Sequence, residues 1–367
     1  MLTGLSPRAL LTSARGLLRR AGEAPPNSRP DAPRLSAFPR PRDTLPRVAP
    51  ASLSTSTPAI GLLVWLALVG VRLGDLGDEA TLAEVIVLFV VLVAVPRALL
   101  FTADMSPRTY ANAARPAGLA GLAGLVAAVP AFAPGLDPGV AAGLTGPWLL
   151  LCGLAALHGL LRFLSRRSLA PAELALDLGL VWLPGAAVWL LVYRGDLVLG
   201  GFGGLAAILT AGHFHAAGFG ALVMVGLLGR GLGDARDWTR RVYRLVAVVL
   251  IFAFPLLAVG IGAGARPVEL AGAGLYVLGL PLLAGLQLVT AARLRDRPAW
   301  ARVLLALSSA SLLISTTLAG MYAAQGFYGA TVPILTMLRA HGLVNALGFL
   351  GLGLLAWGGL QAPARDD

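Results

Sequence analysis

From Pro58 to Gly358 the chain alternates apolar stretches with short polar breaks, and most stretches approach the ~20 residues a helix needs to cross a bilayer. No other feature limits the fold as much, because a backbone inside lipid has to satisfy its own hydrogen bonds. The sequence is 57% hydrophobic and 13% charged, which leaves too little polar surface for a soluble fold of 367 residues. We therefore expect an all-α fold, a polytopic transmembrane helix bundle of about ten helices over residues 58–360. The expected spans are 58–73, 81–101, 117–132, 142–164, 175–193, 203–228, 242–263, 268–289, 302–323 and 333–358. The first and third are short enough to be tilted or partly re-entrant. Abundant Gly and Ala suit close helix contacts in lipid.

The breaks carry an orientation signal. The formal net charge is +11 and there is no lysine, so arginine supplies the positive charge. Arginines collect in alternate breaks: Arg97, Arg108 and Arg115; Arg162, Arg166 and Arg167; Arg230, Arg236, Arg240, Arg241 and Arg244; Arg293, Arg295, Arg297 and Arg302. The intervening breaks at 74–79, around Asp137, and at 194–196, 266–269 and 325–331 are acidic, neutral or balanced, with Arg72 as an exception. The arginine-rich side is the cytoplasmic one by the positive-inside rule, which puts both termini there. Charge distributed in this way orients a membrane protein and gives no reason to expect nucleic acid.

Residues 1–57, rich in Arg, Pro and Ser, read as a disordered tail, and 361–367 as a short polar one. Arg19-Arg20 lacks the apolar region of a twin-arginine signal. The single cysteine, Cys152, lies in an apolar segment and reads as a small buried hydrophobe. No Walker loop, GxGxxG fingerprint or HExxH pair is present, so nothing points to ATP hydrolysis or a zinc protease.

The informative residues are polar groups placed at membrane depth, where they are costly and mark functional sites by default. His213 lies ~15 Å into the sixth expected span and His341 ~12 Å into the tenth, both measured from the outer side. Asn345 sits one turn below His341 on the same face. His215 points ~200° away from His213 on a regular helix, so both serve one site only if that helix is distorted; otherwise one imidazole enters the bundle centre and the other bonds a neighbouring helix. Glu84, one turn inside the outer end of the second span, is a candidate proton partner. His158 and Asp177 are secondary candidates that would pair near the cytoplasmic side. Ser308, Ser311 and Ser315 form a hydroxyl stripe on the ninth span that should face inward.

Three segments carry a family resemblance. The run Leu209-Thr210-Ala211-Gly212-His213-Phe214-His215-Ala216-Ala217-Gly218-Phe219 resembles the YndJ-like family of bacterial polytopic membrane proteins. So do the stretch from Met337 to Phe349, with His341 and Asn345, and the stretch from Pro171 to Asp177. Ala216 stands where an aromatic residue is expected after His-Phe-His. The resemblance implies a membrane bundle and directs attention to His213, His215, His341 and Asn345.

Three functions fit these residues. The first is a transporter-like protein with a His/Asn pocket in the outer half of the bilayer, binding a small polar solute or relaying protons through His213, His215, His341, Asn345 and Glu84. The second is a redox or sensor protein with haem or a transition metal on the same histidines. The third is a structural or assembly protein whose histidines only join helices. An enzyme is not expected, because no nucleophile, base and acid meet at compatible depths.

Overall fold

The computed structural model describes residues 56–102, 119–125, 133, 135–233, 237–328 and 331–361. The expected tails and most of the expected third span fall outside these residues, although 119–125 are helical. Among the described residues there are nine long helices and no named strand. They are α1 (Ser56–Val71), α2 (Glu79–Thr102), α3 (Pro138–Arg166), α4 (Pro171–Arg194), α5 (Gly204–Leu232), α6 (Trp238–Gly262), α7 (Arg266–Arg293), α8 (Ala299–Gln325) and α9 (Ile334–Gln361). Eight of them, α2 to α9, are long and apolar enough to cross a membrane, while α1 has 16 residues. The described spans therefore number eight where about ten were expected.

Local chemistry sets the helix ends. Asp78 caps α2 by accepting from the Thr81 amide at 2.8 Å. Pro171 and Pro267 occupy first-turn positions of α4 and α7, where a missing N–H costs nothing. Gly264, at φ 62°, turns the chain between α6 and α7 in the left-handed region that glycine enters without strain. Asp237 caps α6, and the Thr239 hydroxyl, with Arg293 beside it, holds its carboxyl down to about 2.

Consecutive helices pack side by side: α3 on α4, α4 on α5, α6 on α7, α7 on α8 and α8 on α9. Helix α2 closes the arrangement by packing against both α5 and α9. Its most apolar window is 89% buried, against 28% for α3, so α2 is the central helix and α3 a peripheral one. Small residues bring backbones together at the contacts. A Cβ on Gly260 of α6 would lie 2.2 Å from the Glu269 nitrogen of α7, and one on Gly272 of α7 would lie 2.4 Å from the Leu257 nitrogen of α6.

Helices α2, α5 and α9 each widen into a π-helical segment, at Val90–Ala94, Phe214–Gly220 and Leu338–Leu352. Such segments recur at functional sites because they re-aim side chains and loosen backbone hydrogen bonds.

Candidate functional site: a histidine-bearing cavity

A cavity of about 600 Å³ lies between α2, α5, α6, α7, α8 and α9. It runs from Arg266, Glu269 and Gln325 at one end of the bundle to Phe349 at depth. Most of its wall is aliphatic or aromatic, including Val87, Val90, Leu257, Leu280 and Phe349. Its polar residues His213, Thr316, His341 and Asn345 come from α5, α8 and α9, short of the apolar end at Ala221 and Phe349.

His213 and His341 meet there. Their ring centroids are 6.3 Å apart and the ring planes differ by 26°. Each ring has Nδ1 against a carbonyl, which can only accept, so Nδ1 carries the proton in both. His213 donates to Leu209 O at 2.7 Å, within its own helix. His341 donates to Ser315 O of α8 at 2.9 Å. The Asn345 amide Nδ2 lies 3.3 Å from His341 Nε2 and donates to it, while Asn345 Oδ1 accepts from the Ser315 hydroxyl at 2.8 Å. Ser315, Asn345 and His341 thus form a closed chain joining α8 to α9. Ser311 plays a different part: Gly348 of α9 leaves room for its hydroxyl, which a Cβ there would meet at 2.3 Å. Ser308 donates to Phe349 O at 2.8 Å, so the serine stripe does face inward, as helix-joining groups.

His215 does not belong to this pocket. It is fully buried on the opposite side of α5. Its Nδ1–H donates to Ala211 O at 2.9 Å, and its Nε2 accepts from Trp148 Nε1–H of α3 at 3.3 Å. The π segment begins at Phe214 but does not bring the two histidines to one face. Both nitrogens of His215 are used in holding α3 to α5.

Glu84 is also placed elsewhere. While Ala83, Ile86 and Val87 of α2 face the cavity, Glu84 turns toward α4. It pairs with Arg72 at 2.7 Å, accepts from the Tyr193 hydroxyl at 2.7 Å, and has Arg194 at 3.6 Å. Arg72, the exception in the loop pattern, thus has a buried carboxylate to hold, with Arg194 beside it.

At the other end of the bundle stands an ion network centred on Glu173, a residue the sequence did not single out. Arg162, Arg166 and Arg230 reach Glu173 at 2.7, 2.9 and 2.6 Å. Asp177, one turn on, is held by Arg166 and by Arg162 at 3.4 Å. Arg162 and Arg230 also donate to Thr102 O and Phe101 O, the open carbonyls at the end of α2. The network joins α2, α3, α4 and α5. Asp177 is therefore a member of an arginine cluster, and His158 lies on an exposed face of α3. The spacing of Glu173 and Asp177, two acids on one face of one helix just past an arginine-rich break, is the signal that would have found it.

Among the described residues, no group of three or more His, Cys, Asp and Glu side chains converges as a metal site. The His213–His341 pair can offer two nitrogens.

Fold and site together define a polytopic membrane helix bundle with an internal, mostly apolar cavity. The chain belongs to the YndJ-like protein family, whose model matches residues 85–349. It is similar to "Uncharacterized membrane protein YndJ" of Bacillus subtilis (strain 168), at 29% identity over 211 residues. That match covers 57% of this chain and 37% of the relative, so the chain matches well under half the length of the curated relative. No solved structure matches the chain.

Proposed function

We propose that this chain is a transporter-like protein of the bacterial cytoplasmic membrane, and that the cavity is its solute site, with His213, His341 and Asn345 at depth. Two imidazoles from helices far apart in sequence converge in one cavity with centroids 6.3 Å apart, and this convergence supports the proposal most directly. Ionisable groups kept at membrane depth face cavities and solute paths. A volume of about 600 Å³ suits a small molecule, and the apolar wall favours an amphipathic solute over a strongly polar one. With the arginine-rich loops inside, the cavity opens toward the outer face and the Glu173 network closes the inner one. A cycle of alternating access would open that network.

Ala216 lines the cavity beside His213, so Ala216→Cys in a Cys152→Ala chain tests the proposal. A membrane-impermeant maleimide added at the outer face should label it. Labelling from neither face, or from the arginine-rich face alone, overturns the assignment. A second reading has His213 and His341 hold haem or a transition ion through Nε2, favoured by the anchored Nδ1–H groups and requiring His341 to release the Asn345 amide. Purified protein with no Soret band and no stoichiometric metal removes it.

A further inference from the structure

The chemistry of the solute can be read from which polar groups of the cavity are already committed. One Asn345 amide N–H is given to His341, and the Asn345 oxygen accepts from Ser315. The Tyr276 hydroxyl donates to Ala217 O at 3.3 Å, across to the π segment of α5. His341 has a partner on both ring nitrogens. What remains is His213 Nε2, an acceptor that has no donor among the described residues and lines the cavity. The Thr316 hydroxyl on the α8 wall likewise has no partner. The charged residues of the lining, Arg266 and Glu269, stand at the mouth and pair with each other. The cavity therefore offers an open acceptor at His213 Nε2, a neutral hydroxyl at Thr316, no unpaired charged side chain in its lining, and apolar walls.

We infer that the cavity takes a neutral, largely apolar molecule bearing a hydroxyl, inserted hydroxyl first so that its O–H donates to His213 Nε2. This inference rests on the solute-site proposal above and adds the ligand class. An anion would meet a lone pair instead of a cation, and an ether or hydrocarbon of the same shape would leave that lone pair dry and unmatched. A polar solute such as a sugar would bring more hydroxyls than the cavity can satisfy.

The test uses three probes of nearly one shape: 2-naphthol, 2-methoxynaphthalene and 2-naphthoate. Binding to the detergent-purified full chain is followed by equilibrium dialysis against matched micelles. 2-Naphthol should bind saturably, about tenfold more tightly than the methyl ether, the cost of one acceptor that the ligand covers and leaves unmatched. His213→Phe keeps a ring in place and removes the lone pair, so it should bring 2-naphthol down to the level of the ether. Equal binding of the ether, tighter binding of 2-naphthoate, or discrimination that survives His213→Phe overturns the inference. If no probe saturates while Ala216→Cys is still labelled from the outer face, the ligand class fails and the solute site stands. If the cysteine is not labelled, the site itself fails.

Discussion

At the scale of single residues, what separates the histidines is which of their nitrogens are already bonded. His215 has both ring nitrogens satisfied inside the protein, and its ring lies 5.9 Å from that of Trp148. His215→Ala should cost about 2 kcal/mol or more, because it leaves the buried Trp148 N–H unsatisfied and opens a cavity. Thermal unfolding in detergent would show the loss, while labelling at Ala216→Cys should be unchanged. Asp237 gives a pH prediction. Its pKa is lowered to about 2 by the Thr239 hydroxyl and then by Arg293, so its contribution to the α6 cap is present above the ordinary value of 3.8 and is lost as pH falls through about 2. NMR titration of labelled aspartate should find a carboxyl that low, and Arg293→Gln should move it upward. The angular separation of His213 and His215 on a helix was legible from the sequence, and it sufficed to send one inward and one to a neighbour. Which one went where depended on Trp148, and nothing in the spacing of residues names that partner. Arg72 was visible only as an exception to the loop pattern; the carboxylate that explains it, Glu84, was read as a pocket residue instead.

At the scale of elements, helix existence followed from apolar length, but helix irregularity did not. No local residue pattern announces the π segments of α2, α5 and α9, each of which supplies residues to the wall of the shared cavity. The close pairing of α6 and α7 depends on glycine. Gly260→Ala would place a methyl against the α7 backbone and should destabilise by about 1–3 kcal/mol, read as a lower unfolding midpoint. The ion network gives a larger effect. Asp177 and Arg162 are 2% and 3% exposed at their side chains. Asp177→Ala should therefore cost about 3 kcal/mol or more, because it strips a partner from buried guanidinium groups. Glu173 escaped notice in the sequence because an acid in the first turn of a helix usually serves the helix dipole. Here it also gathers arginines from α3 and α5.

At the scale of the whole molecule, charge sorts the two ends of the bundle. Arg162, Arg166 and Arg230 cluster at one end, while Glu84, Arg194, Arg266 and Glu269 stand at the other. Single cysteines in the α4–α5 connection should react with impermeant reagents in intact cells, and cysteines in the α5–α6 connection only after the membrane is opened. The π segment of α5 has one more consequence. A turn of that kind holds a residue more than an ordinary helical turn, and a helix can absorb the surplus without moving its flanks. Removing Ala216 altogether should thus let α5 relax to uniform winding, with both ends still anchored. Such a shortened chain would leave His213, at the end of the flanking stretch, beside His341 and would turn His215, inside the segment, away from Trp148. Deletion would thus separate what the two neighbouring imidazoles do, loosening the tie of α3 to α5 while the pair facing the cavity stays in register.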